Sequence, residues 1–193
     1  MIEKLVTRFV DFQEGIGTIK EDDVNVYRYG YTLMAEVILN MALSLILGVL
    51  LGQIKKVIFF LCMFIPLRSF CGGYHANKIW KCVILSNFII IVVIFAVEKL
   101  ILYKTPQCFL LMMLCGIVFT LFAPSESFGK KLSIHEKKVY KFGALIFFFV
   151  ESIIGFILLC TGKVEYYYIV LISHVIQVLS LLLNFTLKKY KDC

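Results

Sequence analysis

Long apolar runs alternate along this chain with short polar clusters, and the length of the runs predicts membrane-crossing helices. Windows of about 19 residues, enough to cross ~30 Å of hydrocarbon, pick out 32–52, 79–97, 106–124, 142–160 and 166–187. A shorter run, VIFFLCMFIPL at 57–67, crosses only if the stems of Lys55 and Lys56 snorkel at one end and Arg68, Ser69 and Phe70 extend it at the other. The pattern therefore predicts an all-α fold, a polytopic membrane helix bundle of about six transmembrane helices. Ahead of it, Ile2, Leu5, Val6 and Phe9 fall on one helical face, which predicts an N-terminal amphipathic segment lying on the membrane or on the protein. The expected layout is one integral membrane domain over 1–193, with a leader at 1–31, the bundle at 32–187 and a tail at 188–193.

Composition strengthens this picture. Hydrophobic residues make up 61% of the 193, with 18 Phe and a mean hydropathy of +0.90, whereas soluble domains hold near half their residues apolar. The first apolar run follows a polar leader, so a cleavable signal peptide, with its basic head and short apolar core, is not expected.

Charge then orients the bundle. With the N-terminus in the cytoplasm and six crossings, fifteen of the twenty lysines and arginines fall on the cytoplasmic side, as the positive-inside bias requires. Both termini and the segment 68–82 are then cytoplasmic. The net charge of +7 is accounted for by basic loops facing anionic lipid head groups, so membrane lipids are the expected partner and nucleic acid is not. The basic loop GKKLSIHEKKVYK, 129–141, is either a plain positive-inside loop or a docking strip for an acidic partner. Of the seven cysteines, at 62, 71, 82, 108, 115, 160 and 193, most lie in apolar runs or face a reducing compartment, where packing and not disulfide bonding is expected.

One stretch breaks the hydrocarbon pattern: CGGYHANKIWKC, 71–82. A thiol becomes a useful nucleophile when a base takes its proton, and a cysteine and a histidine close in sequence are candidates for such a pair. His75 has two potential partners. Cys71 is four residues away, but Gly72 and Gly73 between them argue for irregular backbone. Cys82 is seven residues away, roughly 10.5 Å along a continuous helix, so a Cys82–His75 pair requires the chain to turn. Asn77 could cap a helix beginning at Lys78, leaving His75 on a loop and Cys82 early in the new helix. His75 would then have to come within about 3 to 4 Å of the sulfur. Gly72 and Gly73 could present N–H groups to an oxyanion, with Arg68 as a charged helper. A metal site built from Cys71, His75 and Cys82 has only three ligands at a spacing that matches no standard zinc pattern, so no metal and no cofactor are expected. A snorkelling loop whose His and Cys merely pack is the bland reading.

Arg68, then Gly72-Gly73-Tyr74-His75-Ala76, then Cys82, placed after a second hydrophobic segment in a chain of this length with a charged leader, resembles the accessory gene regulator B (AgrB) family of bacterial quorum-sensing peptidases. The resemblance covers essentially the whole chain. It implies a cell-membrane cysteine endopeptidase that removes the C-terminal tail of an AgrD-type pro-peptide and supports its cyclisation to a thiolactone or lactone. It implies Cys82 as nucleophile, His75 as general base, and Arg68 and Gly73 as residues associated with the site. Lys130 and Lys131 match, loosely, a basic segment of the family's central cytoplasmic loop. Cys71 falls where the family suggests no role. Self-association into a homo-oligomer stays open.

Two other classes stay open beside it. A peptide transporter would place ionisable groups at mid-membrane, and Glu36, Glu151 and His174 are candidates, although each could equally sit near an interface or be paired within the bundle. A non-catalytic scaffold or sensor is the third.

Overall fold

The computed structural model describes residues 2–20, 23–73, 79–100, 106–125 and 133–191. These form α1 (Ile2–Gly15), α2 (Val24–Leu50), α3 (Ile54–Cys71), α4 (Ile79–Leu100), α5 (Pro106–Phe122), α6 (Ile134–Cys160) and α7 (Val164–Lys191), with no strand among them. Stretches within α2, α4, α6 and α7 are long and apolar enough to cross a membrane, and α5 is a shorter apolar helix. With α3 they make the six-helix bundle that the hydropathy predicts, and the chain is a membrane protein.

α7 is the hub. It packs against α3, α4, α5 and α6, while α3 and α6 also pack on each other. Its neighbours supply Leu67, Val97, Phe119 and Phe148 to a core completed by Ile169 and Leu181, all fully or nearly buried. Close approach between helices is set by small residues, as in other bundles surrounded by lipid. A Cβ on Gly116 would lie 2.9 Å from the Phe148 ring, and one on Gly48 would lie 3.1 Å from Val57. α2 sits at the outer edge, against α1, α3 and α4, with Val37, Ile38, Met41 and Val49 exposed in the way lipid-facing residues are.

The helix boundaries differ from the hydropathy windows where polar residues continue a helix beyond the hydrocarbon. α2 starts at Val24, ahead of the apolar run, because α1 supports it. Val6, Val10 and Ile19 bury themselves against Val24, Tyr31 and Ala35, and Arg28 bonds Asp11 at 3.1 Å. The leader is thus an amphipathic helix folded onto the base of α2. α6 starts at Ile134 because Ser133 and Glu136 form a capping box. The Ser133 hydroxyl accepts from the Glu136 N–H at 3.2 Å, and the Glu136 carboxylate accepts from the Ser133 N–H at 2.8 Å. This reciprocal pairing satisfies two otherwise orphaned donors. α3 reaches its full length as expected, but Lys56 does not snorkel freely: it is 14% exposed and pairs with Glu165 of α7 at 2.9 Å. That contact joins the N-terminal ends of α3 and α7, so the two helices run side by side in the same direction and their C-terminal halves meet at the candidate site.

Candidate active site

The chain leaves α3 through two glycines. Gly72 caps the helix with φ +69°, its N–H donating to the Arg68 carbonyl at 2.9 Å, and Gly73 follows at φ +137°. Both values lie where L side chains rarely go. Space forbids a side chain as well: a Cβ on Gly72 would collide with the Ser125 carbonyl, and one on Gly73 would lie 2.5 Å from the Ser180 hydroxyl. The glycine pair is therefore required by backbone geometry and by close approach together.

The turn is pinned from two sides. The Ser125 N–H donates to the Cys71 carbonyl at 2.9 Å, and the Ser125 hydroxyl accepts in turn from Asn184 of α7. The Gln177 amide, also on α7, donates to the Gly72 carbonyl at 2.6 Å. Arg68, one turn before the end of α3, donates from Nη1 to the Ser180 hydroxyl at 3.0 Å, and its guanidinium lies over the Phe64 ring at 5.7 Å.

α4 begins at Ile79 and carries Cys82 in its first turn. The thiol is half-buried. Glu36 of α2 and Ser86, one turn further along α4, lie beside it, and the Arg68 guanidinium acts on it from α3. Arg68 and Glu36 also act on each other, so among the described residues a basic and an acidic side chain stand together beside the sulfur, as ionisable groups removed from water require. Three helices thus converge on Cys82. Cys71, by contrast, is fully buried in the bundle core, where a substrate cannot reach it.

His75, Asn77 and Lys78 lie outside the described residues, as do Lys130 and Lys131. Helix α3 ends before the glycines and α4 is in place by Ile79, so no single helix runs through 72–82. Among the described residues, no group of three or more metal-ligating side chains gathers.

The structure separates the three intramembrane ionisable residues. Glu36 faces Cys82. Glu151 of α6 and His174 of α7 pair at 3.0 Å deep in the core, their side chains 3% and 0% exposed. His174 is flanked by the rings of Phe148 and Phe119. Sequence reasoning missed Gln177, Ser180, Asn184 and Ser125. A signal was there: Ser173, Gln177, Ser180 and Asn184 recur at helical spacing along one face of a mostly apolar stretch.

These features define a class: a helical membrane protein with a cysteine held at the start of one helix, beside a glycine turn and an arginine from the neighbouring helix. The chain belongs to the accessory gene regulator B family, whose model matches residues 2–181. Membership places it in the processing of autoinducer pro-peptides in quorum sensing. Neither the curated proteins nor the solved structures contain a match to it.

Proposed function

We propose that the chain is a cysteine endopeptidase of the cell membrane that cleaves an AgrD-type pro-peptide at Cys82. The observation that carries this reading is the contrast between two thiols. Cys82 is partly accessible, with Arg68, Glu36 and Ser86 around it, whereas Cys71 is sealed in the core.

In the proposed reaction, His75 takes the thiol proton and the Cys82 sulfur attacks the carbonyl carbon at the future C-terminus of the signal. The oxyanion that forms is met by Arg68 and by backbone N–H groups of the Gly72–Gly73 turn. The C–N bond breaks, His75 returns the proton to the leaving amine, and the acidic tail departs, leaving a thioester on Cys82. An internal Cys or Ser of the pro-peptide then attacks that thioester, closing a thiolactone or lactone and restoring the thiol. Water would hydrolyse the thioester to a linear product, so a site that excludes water favours the ring. Lys130 and Lys131 would draw the acidic tail to the membrane surface, and Arg68, Cys82 and both termini would face the cytoplasm.

The test uses membranes containing the full chain and its cognate pro-peptide. Wild type should release the tail and show, by intact mass, an adduct on the peptide that contains Cys82. Tail release by Cys82→Ala at the wild-type rate would remove the acyl-enzyme and with it this function.

A further inference from the structure

The mechanism leaves unused a stripe of polar side chains on α7. Gln177, Ser180 and Asn184 stand at successive turns of one face, and each holds the end of α3 or the residue that pins it. Asn184 holds Ser125, which holds the Cys71 carbonyl. Ser180 holds Arg68 and closes the space beside Gly73. Gln177 holds the main chain of the turn itself, at Gly72.

Gln177 is fully buried. In an apolar helix such a side chain is costly unless it is hydrogen-bonded, and Leu or Met would fill the volume without that cost. Its amide is also oriented without ambiguity. The Gly72 carbonyl can only accept, so the group 2.6 Å from it is the NH2 and not the oxygen. Gln177 Oε1 has no hydrogen-bond partner among the described residues, so the bond to Gly72 is the one polar contact that explains a glutamine here. The carbonyl it grips belongs to a residue with φ +69°, whose neighbouring peptide units could rotate readily without an external hold.

We propose that Gln177 is a positioning residue for the Cys82 site, fixing the rotation of the Gly72–Gly73 peptide units by its bond to the Gly72 carbonyl. The inference rests on the endopeptidase reading for its consequence in turnover, but the geometry it concerns is independent of the substrate. With the bond in place, the N–H groups of the turn keep one orientation relative to Arg68. Without it, the turn samples others, and the loss falls on the chemical step more than on pro-peptide binding.

Two variants of the full-length protein in liposomes separate the donor from the volume. Gln177→Met keeps the length of the side chain and removes the donor. Gln177→Glu keeps the shape and donates only while its carboxyl is protonated. For Gln177→Met, kcat for tail release should fall about tenfold or more with KM changed less than about twofold, and alkylation of Cys82 by iodoacetamide, followed on the Cys82 peptide, should slow. Gln177→Glu should recover turnover at low pH and lose it as pH rises. Arg68 of α3, Glu151 of α6, and Cys71 and His174 nearby are unchanged in every variant, so a limb present only in Gln177→Glu belongs to position 177.

Wild-type kcat and alkylation in Gln177→Met would overturn the proposal, as would equal, pH-independent losses in both variants, which would mark a packing role. If wild type cleaves no pro-peptide while Cys82 alkylation still separates the variants as described, the endopeptidase reading falls and the positioning role stands.

Discussion

Arg68 of α3 and Ser180 of α7 are 112 residues apart in the chain and 3.0 Å apart in space, the guanidinium donating to the hydroxyl. The same guanidinium acts on the Cys82 thiol, so one planar cation links the hub helix to the candidate nucleophile. A flat fork with five donors can serve both directions at once; an ammonium is a point charge on a flexible stem.

Arg68→Lys should therefore lose most tail-release activity although charge is conserved. Ser180→Ala, which removes a single partner of the fork, should cost about tenfold or less, in keeping with one hydrogen bond to a charged group. Turnover in liposomes for the two variants side by side provides the check. A larger loss in Ser180→Ala than in Arg68→Lys would mean that the serine, not the fork, matters.

The two cysteines of the 71–82 stretch should behave oppositely. Cys82→Ala should insert normally and release no tail. Cys71→Ala should keep most activity and lose stability instead, by about 1 to 2 kcal/mol, because a buried sulfur leaves a small cavity among core side chains. Cleavage and thermal unfolding in detergent measure the two effects separately. Inactivation by the Cys71 change at unaltered stability would reassign the nucleophile.

Much of this arrangement was legible in the sequence, and the reason lies in solvent. In a bilayer, apolar runs of sufficient length must form helices, since no water satisfies an open backbone; hence the six-helix bundle follows from hydropathy alone. Gly72 and Gly73 were legible as irregular backbone because two adjacent glycines break a helix, and the structure adds that Ser125 and Ser180 leave no room for a Cβ at either. The lateral order of the helices was not legible. Apolar windows carry no record of which helix touches which, so Glu36, on α2, read only as a stray intramembrane charge and not as a neighbour of Cys82. Gln177 and Ser180 were hidden for the same reason: their partners lie more than a hundred residues away. The capping box at Ser133 and Glu136 could have been read locally and shows why α6 begins before its apolar run.

The basic loop yields a prediction of another kind. If Lys130 and Lys131 attract the acidic tail of the pro-peptide, replacing both with Gln should raise KM with little change in kcat, and added salt should weaken wild-type binding while affecting the variant less. Steady-state cleavage at two ionic strengths suffices. Equal KM values for the two proteins would return the loop to the positive-inside role.

Glu151 and His174 pose the remaining question, whether a buried ionisable pair here is structural or functional. Nε2 of the imidazole lies 3.0 Å from Oε2 of the carboxyl, with both side chains essentially sealed from the surface. A proton must lie between them, since two bare acceptors would repel. Glu151 Oε1 and His174 Nδ1 have no hydrogen-bond partner among the described residues, so each group depends on the other for its one good contact. Removing one member leaves the other a buried polar group without a partner, at a cost of about 1 to 3 kcal/mol, whereas replacing both by apolar groups of similar shape is close to neutral or stabilising. Glu151→Leu and His174→Phe should therefore each destabilise the protein strongly, and the double variant should unfold close to wild type, a coupling that a double-mutant cycle isolates. The rings of Phe119 and Phe148 already flank this position, so a phenyl group in place of the imidazole meets compatible neighbours. Unfolding in detergent and tail release together decide the matter. A double variant as unstable as the sum of the singles would contradict the pairing, and one that folds well but no longer releases the tail would move the pair from the scaffold into the function.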